Sequence, residues 1–450
     1  MIDPVAKRLI PANVYVKDGK ISEITRVTYE AKETIDATGM HVSPGFIDIH
    51  AHTDNNTMVA EMLVRQGVTT VTGGHCGVGQ KDLPGFFEKA EKGFMVNQSQ
   101  FVGAWELRER AGQMDPNAPL NEEQIKFAEK ALEADLEVGG AGLSFGLEYM
   151  PGSSFEEMLR LSKIAAYWGK PVMVHTRLGF WAGLGALREA IDISRHTGAA
   201  VNISHVAYMY GHGMMSHALE VIDDALQEGI DISCDSGMYT SFSTLFGSEA
   251  FDEEYVKTWR SDIDTIFIAS GEYAGQQITS WEMFREIRAK TPGAAANSMI
   301  GCPHEIMLAF DLPSMMCSSD AGVSAVVGVS EAVHPQDAAT FAKFLREAVI
   351  ATGRLTLVDA VSRITSIPAE RMGFHNSKGR LMPGFDADIT IFNIEKVRER
   401  ADFPHLGKAD APPEGFHSVI IDGKIVVSDG KILNTSAGKI LRAPNVVWKL

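Results

Sequence analysis

Short apolar runs recur along the middle of the chain, at 45–52, 68–75, 99–103, 141–146, 171–176, 200–205, 230–235 and 314–319. Between several of them the apolar positions switch to a helical period, at 121–136 (rich in Ala, Glu and Lys), 155–168 and 216–228. Such alternation predicts βα units and a parallel sheet, and eight candidate strands over this length predict a (β/α)8 TIM-like barrel. The two chain ends read differently. Val14-Tyr15-Val16-Lys17-Asp18-Gly19-Lys20-Ile21 is a strand, an Asp-Gly turn and a second strand, and the idiom returns over 418–427 and at Asp429-Gly430-Lys431-Ile432. The expectation is therefore an α/β chain: a barrel over 44–375 and one small β-sandwich domain assembled from 1–43 and 376–450. From about 240 to 300 the connection exceeds an ordinary βα crossover. It carries Trp259, Tyr273, Trp281 and a helical stretch over 278–290, and it reads as a lid-like insertion over the barrel mouth.

Composition narrows the classes. A chain of 450 residues, 45% hydrophobic and 22% charged, is that of a soluble globular protein able to bury a large core. A formal net charge of −17 argues against nucleic acid or an anionic membrane as partner. The four cysteines, Cys76, Cys234, Cys302 and Cys317, are widely spaced, so a disulfide framework is not expected and each is free to bind metal. The start, Met1-Ile2-Asp3-Pro4, lacks a basic-then-apolar signal pattern, and no apolar run is long enough to span a bilayer. The expected location is cytoplasmic, with no membrane partner, and homo-oligomerisation stays open.

The chemistry lies where the candidate strands end. Residues two apart in a strand share a face, so Asp48, His50 and His52 line one side of the first, with both imidazoles at its C-terminal end. The second runs into His75-Cys76-Gly77, the fifth ends in His175, the sixth in His205 and the eighth in Asp320. Alone, each has a bland explanation: a satisfied core histidine, a buried thiol, a helix cap. Together they put imidazole, thiolate and carboxylate at one rim of a barrel, the donor set that zinc prefers.

The pattern resembles the amidohydrolase superfamily, and within it the N-acyl-D-amino-acid deacylase (D-aminoacylase) branch. The resemblance runs over nearly the whole chain. It is carried by 44–52 (Pro-Gly-Phe-Ile-Asp-Ile-His-Ala-His), Gly74-His75-Cys76-Gly77, the glycine-rich 140–152 and Ile203-Ser204-His205, then by Ser319-Asp320, His334-Pro335, 365–371 and 379–388. The resemblance implies that Cys76, His175 and His205 hold a tight zinc ion. His50 and His52 with Asp320 match a second, weaker metal position bridged by Cys76. Many relatives bridge two metals with a carboxylated lysine, but no lysine ends a candidate strand here. The implied reaction is hydrolysis of the amide C–N bond of an N-acyl-D-amino acid, with Asp320 taking a proton from water and passing it to the leaving nitrogen.

Substrate recognition departs from the family pattern. Basic residues expected shortly after the strand-six histidine and after the His-Pro dipeptide are replaced by Ala207 and Gln336. Arg177, two residues past His175, remains as a candidate carboxylate partner. Tyr149, Tyr239 and His334 are further candidate substrate-binding residues, and His212 and His217 are polar candidates at the mouth. Hydrolysis of a cyclic amide (hydantoin, dihydropyrimidine or lactam-like) is the alternative reading. A non-catalytic scaffold predicts eroded ligands, whereas every ligand position is filled.

Overall fold

The protein is described by a computed structural model that covers residues 1–177, 183–259, 261–326 and 328–443. Eight parallel strands form a ring: β1 (Phe46–Asp48), β2 (Val68–Gly73), β3 (Asn97–Gln100), β4 (Leu143–Gly146), β5 (Val172–His175), β6 (Val201–Ile203), β7 (Ile232–Ser236) and β8 (Met315–Cys317). β1 to β3 make one ladder and β4 to β8 another. The chain just past β3 joins them, for the Phe101 N–H donates to Gly73 O at 2.9 Å and Val102–Gly103 pair with β4. The ring closes between the ends of β8 and β1. Ala51 pairs with Ala321, the His52 N–H donates to Ala321 O at 2.6 Å, and the Asp320 N–H donates to His50 O at 2.9 Å.

Each of the eight predicted windows overlaps a strand, β3 starting two residues early and β7 ending one late, yet several ladders stop short of the window's end. β2 ends at Gly73, β6 at Ile203 and β8 at Cys317. The chain turns away just beyond these points, where Cys76, His205 and Asp320 hold left-handed backbone, with φ of 53°, 36° and 54°. A non-glycine residue in that region cannot continue a strand. Helices at Glu122–Glu137, Phe155–Tyr167 and Met215–Gln227 follow their predicted windows. Asn121 and Ser154 cap the first two, Asn121 in a reciprocal box with Gln124. Leu63, Leu132, Leu161, Leu187 and Ile222 bury the inner faces of the barrel helices in the main core.

The 240–300 connection builds structure of its own. Phe242–Leu245, Ala295–Ser298 and Ile266–Ile268 form a three-stranded antiparallel sheet beside the helix Trp281–Lys290. Phe246, Phe251, Trp259, Ile266 and Phe284 make its separate apolar cluster.

The chain ends meet in one sheet. Ile389–Phe392 pairs with His41–Pro44 on one side and with Phe416–Ile421 on the other, so both ends enter one five-stranded sheet. Asp18-Gly19 and Asp422-Gly423 have positive φ at both turn residues, as tight hairpin turns require. A Cβ on Gly423 would lie 3.1 Å from Gly19 Cα, so the two turns, from opposite ends of the sequence, sit against each other. Among the described residues no helix is long and apolar enough to cross a membrane.

Candidate metal centre

Six donor side chains from five strands converge at the C-terminal rim. The ligand atoms of His50, His52, Cys76 and Asp320 all lie within 4.8 Å of one another, and so do those of Cys76, His175 and His205. Cys76 belongs to both groups. In the trio, Sγ lies 3.3 Å from His175 Nδ1 and 3.6 Å from His205 Nε2, and the two nitrogens are 2.9 Å apart. Bonds of about 2.0–2.3 Å to a tetrahedral zinc imply donor separations of about 3.3–3.7 Å. In the other group His50 Nε2 is 3.4 Å from both Cys76 Sγ and Asp320 Oδ1, and His52 Nε2 is 3.4 Å from the same oxygen. Apart from the shorter 2.9 Å between the two trio nitrogens, the separations in both sets fit a divalent ion.

Hydrogen bonding behind the donors sets their tautomers. His175 Nε2 lies 2.9 Å from Glu148 Oε2, a carboxylate that only accepts, so this nitrogen carries the proton and Nδ1 turns its lone pair to Cys76. Asp235, fully buried, sits 3.5 Å from His50 Nδ1 and accepts from the His205 backbone N–H at 3.0 Å, from Asn202 and from Ser318. The Thr72 hydroxyl donates to Ile49 O, so it accepts from His75 Nε2 at 2.9 Å. The His75 ring then stacks on His50 at 4.2 Å between centroids. Asp48 does not join the donors. It accepts from the Ser319 N–H at 3.1 Å and from its hydroxyl, tying β1 to β8.

The electrostatics favour a cation. Burial, reinforced by neighbouring imidazoles, pushes His50 and His205 down to about 3, so both rings are neutral with free lone pairs. Burial and the nearby carboxylates of Asp320, Asp235 and Glu148 hold the Cys76 thiol well above its ordinary value until a cation arrives. Asp320 is held below the carboxylate range, the hydrogen bond from His52 outweighing the upward push of burial.

Five of the six donors, all but His50, form the floor of a cavity of about 290 Å³. Its walls come from the barrel (Trp105, Tyr149, Tyr208) and from the insertion (Phe242, Tyr255, Trp259). The remaining candidates divide. Tyr149 lines the wall, its ring 5.0 Å from His175 and its hydroxyl 3.4 Å from Thr244 Oγ1, and His212 lines it too. His217 is exposed on a helix. Arg177 lies outside the lining of this cavity, its guanidinium engaged by Glu189 at 2.8 Å, Pro151 O at 2.7 Å and Ser153 O at 2.6 Å. Tyr239 donates to Pro335 O at 3.3 Å and lines a different cavity. His334 is buried between the Tyr239 and Phe403 rings, pushed by burial to about 3, with Nδ1 accepting from the Gln336 N–H. Gln336 accepts from the Tyr208 hydroxyl and donates to Asp320 O, bracing the catalytic candidate from behind. Sequence reasoning assigned no role to Glu148 or Asp235. Each is an acid set at the end of a buried strand, and that was the signal available.

The whole chain has known likenesses. The model of the amidohydrolase family matches residues 41–426. An N-acyl-D-glutamate deacylase of Alcaligenes xylosoxydans xylosoxydans is 28% identical, over 92% of this chain and 89% of its own. A D-aminoacylase of the same organism is 26% identical, over 96% and 93%. The crystal structure of an N-acyl-D-glutamate deacylase from Bordetella bronchiseptica, complexed with zinc and a phosphonate inhibitor, superposes with a TM-score of 0.84 at 27% identity, covering 98% of this chain and 97% of that one.

Proposed function

The chain belongs to the amidohydrolase family, and from that premise we propose that it is a zinc-dependent hydrolase of amide C–N bonds, deacylating N-acyl-D-amino acids or close analogues to a carboxylate and a free amine. The observation that carries the reading is the meeting of the six donors at one rim, with Cys76 shared by both groups. Cys76, His175 and His205 would hold the tighter ion, and His50, His52 and Asp320 a second. A divalent ion there supplies Lewis acidity to the amide carbonyl and acidifies a water. The protein's own groups do the rest. Asp320, ionised at the cavity floor, takes the proton of the attacking water and delivers it to the amide nitrogen as the C–N bond breaks. The Glu148 carboxylate keeps the proton of His175 on Nε2, so that this ring offers Nδ1 throughout the cycle. Tyr149, its ring 5.0 Å from His175, positions the substrate, and His212 lines the same cavity.

On the same reading, the 240–300 segment is a lid: Phe242, Thr244, Leu245, Tyr255 and Trp259 complete the wall above the donors. The structure around Asp18-Gly19 and Asp422-Gly423 is the small β-sandwich domain, outside the barrel at 44–375. The cyclic-amide alternative is the weaker one, because a cysteine and not a lysine joins the two donor groups.

Two measurements test the proposal. Purified protein carries close to one tightly held zinc per chain by elemental analysis, and more after incubation with excess metal. Zinc-loaded protein releases free amine from N-acyl-D-amino acids. Turnover confined to hydantoins and lactams would replace the linear reading with the cyclic one.

A further inference from the structure

The cavity above the donors is unlike a site for an anionic substrate. Its walls are aromatic and aliphatic: Trp105, Tyr208, Phe242 and Trp259, with Ile300 and Val323. Besides histidines, the charged-type residues that line it are the acids Glu148 and Asp320, and among the described residues neither lysine nor arginine lines it. Arg177, the nearest cation in sequence to a donor, spends its guanidinium on Glu189 and two backbone carbonyls. A carboxylate brought against this wall would be desolvated with neither lysine nor arginine in the described lining to pair with it.

We infer that the substrate's groups flanking the scissile amide are bulky, apolar and uncharged. Acidic amino acids such as glutamate and aspartate are rejected as leaving groups, and an α-carboxylate contributes little to recognition. The inference rests on the amide-hydrolase reading above and narrows it: two named relatives act on acidic amino acids, and this cavity does not suit them.

The test is a panel at fixed acyl group, benzoyl-D-phenylalanine, its carboxamide, benzoyl-phenethylamine, benzoyl-D-glutamate and benzoyl-D-aspartate, assayed with the zinc-loaded full chain. The expected result is kcat/KM for the carboxamide and the phenethylamine amide within about 10-fold of the free acid, and for the acidic amino acids lower by about 100-fold or more. Acidic substrates within about 10-fold of phenylalanine, or a loss of about 100-fold on masking the α-carboxylate, would overturn the inference. Binding of the same compounds, followed through the fluorescence of Trp105 and Trp259 in the wall, reads the preference independently of cleavage. Apolar binding without cleavage of any arm therefore sinks the hydrolase reading and leaves this one standing, whereas tighter binding of the acidic compounds sinks this one. Two variants sharpen the result. Trp259→Ala raises KM for the phenylalanine compounds selectively. Arg260→Ala (Arg260 lies outside the described residues) leaves the ranking unchanged, and a loss confined to carboxylate-bearing substrates in that variant would also overturn the inference.

Discussion

Asp320 has two neighbours that fix its state: His52 and His50, each with Nε2 3.4 Å from the same carboxylate oxygen. They keep it ionised despite burial, as a proton acceptor must be. Asp320→Asn keeps the shape and removes the basicity. The variant should hold its tight zinc through Cys76, His175 and His205 and lose about 10³-fold in kcat; near-normal turnover at full metal content would remove Asp320 from the proton path. Glu148 makes a different prediction because it acts through His175. Loss of such a partner typically costs about 10–100-fold in metal affinity. Glu148→Ala should show that loss in a chelator competition, and Glu148→Gln, which still accepts from Nε2–H without the charge, should fall between. Equal affinity in all three proteins would mean that the 2.9 Å contact does not orient the ligand.

At the scale of elements, the rim is set by how tightly neighbouring strand ends approach. A Cβ on Gly146, the last residue of β4, would lie 1.9 Å from Cys76 O, so β4 and the turn holding Cys76 touch backbone to backbone. Gly146→Ala should push that turn outward, weakening zinc binding by about 10-fold or more and costing about 1–3 kcal/mol of stability. Chelator competition and denaturant unfolding read the two effects. The neighbouring helix Ala104–Arg110 holds the same turn through Glu106, which accepts from the Gly79 N–H at 2.7 Å. Burial pushes Glu106 up to about 7 from an ordinary value of 4.5. Below pH 4.5 both folded and unfolded chains carry its proton. As pH rises to about 7 only the unfolded chain has released it, so stability falls across that window and is lowest above it, by about 3 kcal/mol at most. Glu106→Gln should flatten that slope and be the more stable protein at about pH 8. An unchanged stability–pH profile would show that Glu106 is ionised in the folded chain. These strand windows were legible because buried parallel strands read as apolar runs, and the Asp-Gly turns because their φ requirement selects those residues. The left-handed backbone at Cys76, His205 and Asp320 was not, since nothing local favours it; contacts such as the His205 N–H to Asp235 bond impose it from the neighbouring strand.

For the molecule as a whole, the donors were legible and much of the cavity wall was not, for a common reason. A donor at a strand end is placed by the barrel itself, whereas a wall residue is placed by packing between segments far apart in sequence. Arg177 and Tyr239 illustrate this: each lies near a strand end, yet Glu189 draws off the first and the Pro335 carbonyl, far along the chain, holds the second. A bound metal would couple these distant parts. Its candidate ligands come from the ends of β1, β2, β5, β6 and β8, so an ion bound there links strands on both ladders and across the seam where the ring closes. The unfolded chain cannot present those donors together, so binding free energy becomes folding free energy. Free zinc at about 1,000 times its dissociation constant should add about 4 kcal/mol to stability, visible in calorimetry as a higher Tm than that of chelator-treated protein. Cys76→Ser, which removes the donor shared by both groups, should abolish most of that increment, while His52→Asn should remove only the part due to the second group. A Tm indifferent to zinc in the unaltered protein would mean that the rim does not bind the ion in the folded state, and the convergence of the six side chains would need another explanation.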